Sequence, residues 1–153
     1  MNLLSRSTLA LALTVAAAAA QAQTTGQFEV RINIQEACAI TTQDLDFGST
    51  GLLTQDIVAS SEINVHCTNT TPFSVALDQG SNGERLMVNN AHSIGYGLYS
   101  DASHQTPWGD DANAVAGLGS GQPQPFTVYG VVRAQPSAAP GDYFDLVTAT
   151  VTF

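Results

Sequence analysis

The chain has 153 residues, with 13 Asp and Glu against 4 arginines, no lysine and a formal charge of −9. Its length fits one ordinary domain, with or without a leader. Cations this sparse cannot displace the counterions of a phosphate backbone, which excludes nucleic acid and anionic membrane surfaces as partners. Charged residues are only 11% of the chain, so its surface is polar but largely uncharged, as suits an exported protein.

Residues 1–22 read as a secretory signal peptide. Arg6 stands near the start, an apolar run covers Leu9–Ala20, and Ala20-Gln21-Ala22 supplies a small-x-small cleavage pattern. The run is too short to span a bilayer as a helix, which takes roughly 20 apolar residues. Residues 23–153 then keep all 13 acids and 3 of the arginines, a charge of −10 (3 − 13), and contain no membrane-spanning segment. Export brings Cys38 and Cys67 into an oxidising compartment, where a disulfide is expected. It would close a loop of about 30 residues, worth roughly 3–4 kcal/mol in chain entropy. Zinc is the rival, but it needs about four ligands, and only His66 adjoins either cysteine.

From Phe28 onward the pattern is that of strands. Phe28, Val30, Ile32 and Ile34 alternate with polar residues, the period-2 signature of a half-buried strand. The same alternation follows in Ile63–Cys67 and in Phe73–Leu77. Weaker runs pass through Leu86 and Val88, then Ile94, Tyr96 and Leu98. Phe126, Val128 and Val132 make another, interrupted by Gly130 as a bulge or a close-packing point. The last run sets Tyr143, Val147, Ala149, Val151 and Phe153 on one face and Thr148, Thr150 and Thr152 on the other, with Asp145 at the rim. Asp78–Gly83 and Ser137–Asp142 read as turns, and residues 117–125 as a long polar connection. All six prolines fall at strand starts or in loops. Short strands at near-regular spacing, with a cystine joining early ones, predict a single all-β domain, an immunoglobulin-like β-sandwich.

Catalytic and cofactor signals are absent, and the chain is not expected to be an enzyme. His66, His92 and His104 show no ligand spacing. Asp110-Asp111 lies in a Gly/Asn-rich stretch and reads as a turn former rather than an acid–base pair. Gly117-Leu-Gly-Ser-Gly121 lacks the lysine, the preceding strand and the following helix of a phosphate loop. No nucleophile elbow occurs. Trp108 with Tyr96 and Tyr99 could form a sugar platform, although a lone Trp is more often packing.

The ends of the chain carry the informative signal. Four large apolar side chains in strand register follow the short polar lead Gln23–Gln27, and an apolar strand runs to Phe153. Burying Phe28, Val30, Ile32 and Ile34 is worth about 6–12 kcal/mol gross, comparable to a whole domain's stability. Whatever accepts that strand is therefore needed for folding. Strand addition between chains is an established recognition mode, and a head-to-tail relation that does not close makes a filament.

Several segments in order, among them Phe28-Glu-Val-Arg-Ile-Asn-Ile34, Leu45-Asp-Phe-Gly48, Ile63-Asn-Val-His-Cys67, Val75-Ala-Leu-Asp-Gln-Gly80, Trp108-Gly-Asp110, Gly141-Asp-Tyr-Phe-Asp145 and Val147–Phe153, resemble the spore coat protein U domain. This is the subunit type of archaic, Csu-type chaperone–usher pili, and the opening Thr25–Ile34 is similar to the start of the major pilin. The resemblance implies an incomplete immunoglobulin-like sandwich completed by a donated strand. Residues 23–36 would be the donor segment, with Phe28, Val30, Ile32 and Ile34 as donor side chains, and residues 37–153 the pilin domain. Val147, Ala149, Val151 and Phe153 would form the groove strand, met first by a periplasmic chaperone. At an outer-membrane usher, the next subunit's donor strand would then replace the chaperone. Cys38–Cys67 matches the family's usual cystine, and no cofactor is implied. One departure is Asp145-Leu146, where the family often has Asp-Thr. The expected function is a structural pilus subunit supporting attachment and biofilm. The alternatives are a self-contained secreted coat protein and a minor, sugar-binding tip subunit.

Overall fold

The computed structural model describes residues 21–153, so the leader expected at 1–22 lies almost wholly outside the described residues. Ile34–Phe153 forms one compact unit. Its strands are β1 (Cys38–Thr42), β2 (Ile57–Cys67), β3 (Pro72–Leu77), β4 (Leu86–Asn89), β5 (His92–Tyr99), β6 (Val115–Leu118), β7 (Gln124–Val132) and β8 (Ala149–Thr152). They make two antiparallel sheets, ordered β1-β2-β7-β5-β4 and β6-β3-β8. The architecture is the all-β sandwich that the alternating pattern predicts.

β2 organises the larger sheet. Its inward residues Ile63, Val65 and Cys67 are buried, and His66 between them is exposed. It pairs with β1 on one side and β7 on the other. Cys38 lies directly opposite Cys67 in that register, and the two form the expected disulfide. Opposite β2, the smaller sheet contributes Phe73, Val75 and Leu77, which meet Leu98 and Val128 across the interior. Trp108 belongs to this core. It is 2% exposed, and its indole N–H donates to the Val75 carbonyl at 2.9 Å, so it offers no face to a sugar. A second cluster at one end gathers Leu53, Ile94 and Val132 with Phe47 and Tyr143.

Four features differ from the sequence-based expectation. Phe28–Ile34 is not in a strand, because period-2 alternation marks a segment able to pair but does not supply its partner. Cys38–Thr42, which carries little alternation, is a strand through its pairing with β2. Val115–Leu118, whose last two residues fall in the stretch expected to be a polar connection, is an edge strand on β3. Its glycine is there for packing: a Cβ at Gly117 would lie 2.4 Å from the Phe73 ring, and one at Gly119 2.1 Å from the Thr68 carbonyl. The last apolar run is regular only from Ala149, and Tyr143–Val147 is held mainly by side-chain contacts and a Val88–Phe144 bridge.

Gly130 runs through β7 without a bulge, and it is the close-packing point. A Cβ there would stand 2.8 Å from Phe47 and 2.9 Å from Leu45, whose side chains cross the sheet at this position. Gly130→Ala is therefore expected to cost about 1–3 kcal/mol through overpacking, read as a lower denaturant midpoint at unchanged slope.

Candidate functional site

Between the two core clusters the sandwich is open. A cleft of ≈ 350 Å³ is floored by Ile63, Leu77, Leu98 and Val128, with Leu45 and Phe47 on one lip and Val147 and Ala149 on the other. The lips are the segment following β1 and the approach to β8. Of the four residues expected to form a groove strand, Val147 and Ala149 line the cleft, Val151 is half-buried against the core, and Phe153 is 55% exposed.

Backbone polarity makes this edge chemically specific. The Asp78 N–H donates to the Thr148 carbonyl at 3.1 Å, and the Ser81 N–H to that of Leu146 at 2.9 Å. Even-numbered residues thus face β3. By the alternation of an antiparallel ladder, Val147, Ala149 and Val151 turn their N–H and C=O groups to the open side. The same residues point their apolar side chains inward. β1 mirrors this: the Gln43 N–H donates to Glu62 and the Ala37 carbonyl accepts from Thr68. Odd-numbered residues there face β2, leaving the backbone groups of Cys38, Ile40 and Thr42 on the other side. Two strand edges therefore combine apolar side chains with backbone groups not used by their own sheets.

One end of the cleft is polar and rigidly built around Asp145. Its carboxylate accepts from the Tyr96 hydroxyl at 2.7 Å, Ser81 Oγ at 2.9 Å, the Asn82 amide side chain at 3.0 Å and the Leu146 N–H at 2.8 Å. Gly80 makes room for it: a Cβ there would fall 2.0 Å from Asp145 Oδ2, and φ is +86°. Asp78 fixes the neighbouring strand start by accepting from the Gly80 and Thr148 N–H groups, each at 2.9 Å. Beneath lies Arg85, 9% exposed, donating to the carbonyls of Leu77 and Trp108. Glu84 and Arg85 both take left-handed φ values, 54° and 58°, to deliver that side chain inward. Such strain persists only where surrounding bonds over-determine it.

The electrostatics follow from these contacts. Partial burial pushes the Asp145 carboxyl up, but donation from Tyr96, Ser81, Leu146 and Asn82 outweighs it and holds the group below its ordinary 3.8. Asp78 behaves alike: burial raises it, and the Thr148 and Gly80 N–H groups more than compensate. Burial, then the hydrogen bond to Asp145, pushes the Tyr96 phenol up. Sequence reading assigned Asp145 to a rim without a role. Its place on the apolar parity of the last run was the available signal.

Gln21–Asn33, described by itself, has no secondary structure, and every residue in it is exposed. Phe28 is 87% exposed, Val30 81% and Ile32 87%, and Arg31 pairs with Glu29 on the alternate face. Ile34 is 75% exposed. The remaining candidates do not converge. His66, His92 and His104 are dispersed, and among the described residues no group of three His, Cys, Asp or Glu could hold a metal ion. No described helix is long and apolar enough to cross a membrane.

Because the folded-state carboxyls of Asp78 and Asp145 titrate below 3.8, their stabilisation is complete above that pH. It is lost as pH falls through the folded values. Asp145→Asn is expected to lower stability by about 1–3 kcal/mol at neutral pH. It should also flatten the acid limb below about pH 4, as thermal melts at stepped pH would show.

Comparison with known proteins gives three results. The family model described as "Spore Coat Protein U domain" matches residues 24–150. The chain is 30% identical over 151 residues to "Protein U" of Myxococcus xanthus, covering 84% of each. In fold it resembles a chain in the crystal structure of the CsuC–CsuE chaperone–tip adhesion subunit pre-assembly complex, from the archaic chaperone–usher Csu pili of Acinetobacter baumannii. The TM-score is 0.59 at 23% identity, over 78% of this chain and 40% of that one. This chain thus spans less than half of that structure's matched chain, and the likeness is one of fold.

Proposed function

Since the chain belongs to the Spore Coat Protein U domain family, we propose that it is a structural, non-catalytic pilus subunit of a chaperone–usher system, polymerised by donor-strand exchange. The observation that carries this reading is the open cleft beside β8, where apolar side chains and free backbone groups occur on the same residues. The fold shared with a chain of a chaperone–subunit complex supports it. Phe28, Val30, Ile32 and Ile34 are the donor side chains. They are apolar at every second position and exposed in the chain on its own.

The energetics agree in scale. Inserting four such side chains gains about 6–12 kcal/mol before ordering costs, enough to decide whether a domain of ordinary stability folds. An unfilled cleft with a free strand edge is also an aggregation hazard. A periplasmic chaperone would therefore cover Val147–Phe153 first, and the donor segment of a neighbouring copy or related subunit would replace it at an outer-membrane usher. A donor in one copy and an acceptor in the next make a head-to-tail contact that does not close, hence a filament. The chain is then exported through the periplasm to a surface fimbrium that supports attachment and biofilm. Its lysine-free, weakly charged exterior fits that exposed position.

Ile32→Asp should abolish polymers while leaving a subunit that still co-purifies with its chaperone. The readout is a gel of cell-surface material run unheated and heated, in which wild type gives a heat-labile ladder and the variant gives none. A ladder undiminished by Ile32→Asp would contradict donor-strand exchange. A stable wild-type monomer resistant to trypsin at Arg31 would favour the self-contained coat protein instead.

A further inference from the structure

The outer face of the larger sheet carries a second constructed surface, remote in kind from the cleft. In register across β2, β7 and β5, Val58 stands beside Val131 and Gly97, and Ser60 beside Tyr129 and Tyr99. Gly97 is there for the ring of Tyr99: a Cβ on it would lie 2.8 Å from Cε2 and 2.9 Å from the hydroxyl. Tyr99 therefore lies down along the sheet rather than standing off it. Val131 faces outward by strand parity yet is only 2% exposed, so this face has a packed layer of its own.

A short loop completes the surface. His104 stacks edge-on between the two tyrosines, 5.4 Å from Tyr99 and 6.4 Å from Tyr129. It is held there at φ 54°. The Asp101 carboxylate enforces this by accepting from the N–H groups of Ser103, Gln105 and Thr106. At the other side Arg133 pairs with Asp56 at 2.7 Å, which cancels both charges. The result is an aromatic patch, Tyr99 and Tyr129 with the imidazole set edge-on to both, bordered by hydroxyls and an ion pair, in a chain of net charge −9.

We propose that this face binds a neutral polysaccharide, with Tyr99 as the stacking platform and Tyr129, His104 and the Arg133–Asp56 pair as hydrogen-bonding rim. The chemistry selects the ligand. A pyranose presents C–H groups on its faces and hydroxyls at its edge, which matches a recumbent aromatic ring flanked by donors and acceptors. The acidic field of the chain repels polyanions, and the two carboxylates at this surface are already engaged, Asp56 by Arg133 and Asp101 by the N–H groups of its own loop, so an uncharged glycan is the complementary class. The site lies on β2, β5, β7 and one loop, so it stands or falls independently of strand exchange.

The test uses the full secreted chain with microcrystalline cellulose, chitin beads, and soluble cellohexaose and chitohexaose as probes. Wild type is expected to be retained on at least one solid and displaced by the matching oligosaccharide. Tyr99→Ala should cut retention by about tenfold, the scale of one lost aromatic stacking contact. Tyr99→Phe should retain most of the binding. Gly97→Val, which lifts the ring while keeping every rim residue, should lose binding as Tyr99→Ala does. Thermal midpoints of each variant show that the fold survives. No retention of wild type on either solid, and no response to either oligosaccharide, would overturn the proposal. So would Tyr99→Ala leaving retention intact while shifting sedimentation, which would identify the face as a contact between copies.

Discussion

The structure is governed by one unmet requirement: an apolar interior between two sheets that the strands of the described residues do not close along one side. Around Val65, Phe73 and Val75 the core is buried and packed. Toward β8 the interior opens into the cleft, and the lip residues carry backbone groups that neither sheet consumes. Apolar surface and free N–H and C=O groups are costly to leave open together, and a single extended segment with alternating side chains satisfies both. Phe28–Ile34 has that pattern and is itself unpaired. If Phe28–Ile34 is the donor proposed above, supply and demand reside in one sequence, which is the condition for a linear polymer.

A cleft open along one side must keep its shape while unfilled, and the polar end explains how. Asp145 gathers Tyr96, Ser81 and Asn82 onto one carboxylate, and Asp78 pins the Thr148 amide. Arg85 braces the carbonyls of Leu77 and Trp108 from within. These bonds replace the regular ladder that Tyr143–Val147 lacks, so the lip is held without being covered. Gly80 is the steric condition of that arrangement, because no other residue leaves space for the Asp145 carboxylate.

Much of this was legible in the sequence, and the failures are physically ordered. Ile63–Cys67 of β2 announced itself because one face is buried and alternation is strict, and β7 did so through Phe126, Val128 and Val132 on its inward face. The disulfide followed from export and cysteine count. Edge strands did not: β1 and β6 are set by pairing to β2 and β3, and Gly117 in β6 and Gly119 just after it, which resemble loop residues, are demanded by Phe73 and Thr68. Val147 and Ala149 of the expected groove strand line the cleft, whereas the roles of Leu45, Phe47 and Asp145 depend on contacts across 49 or more residues, with Gly130, Tyr96 and Ser81, that no local pattern encodes. Trp108, a candidate sugar platform by composition, is core. Tyr96, named with it, turns to Asp145, and Tyr99, the third of that set, stands outward beside Tyr129, its neighbour only through strand register.

The central claim is that the open edge of β8 accepts the apolar N-terminal segment of another copy. Hydrogen exchange at the Ala149 and Val151 amides tests it most directly, because both point to the open side. In a chain lacking residues 23–34 these amides should exchange rapidly. Adding a peptide of sequence Gln23–Gln35 should slow them by orders of magnitude, while the already paired Thr150 amide changes far less. Unchanged exchange at Ala149 and Val151 with saturating peptide, or protection equally strong before it is added, would contradict the account.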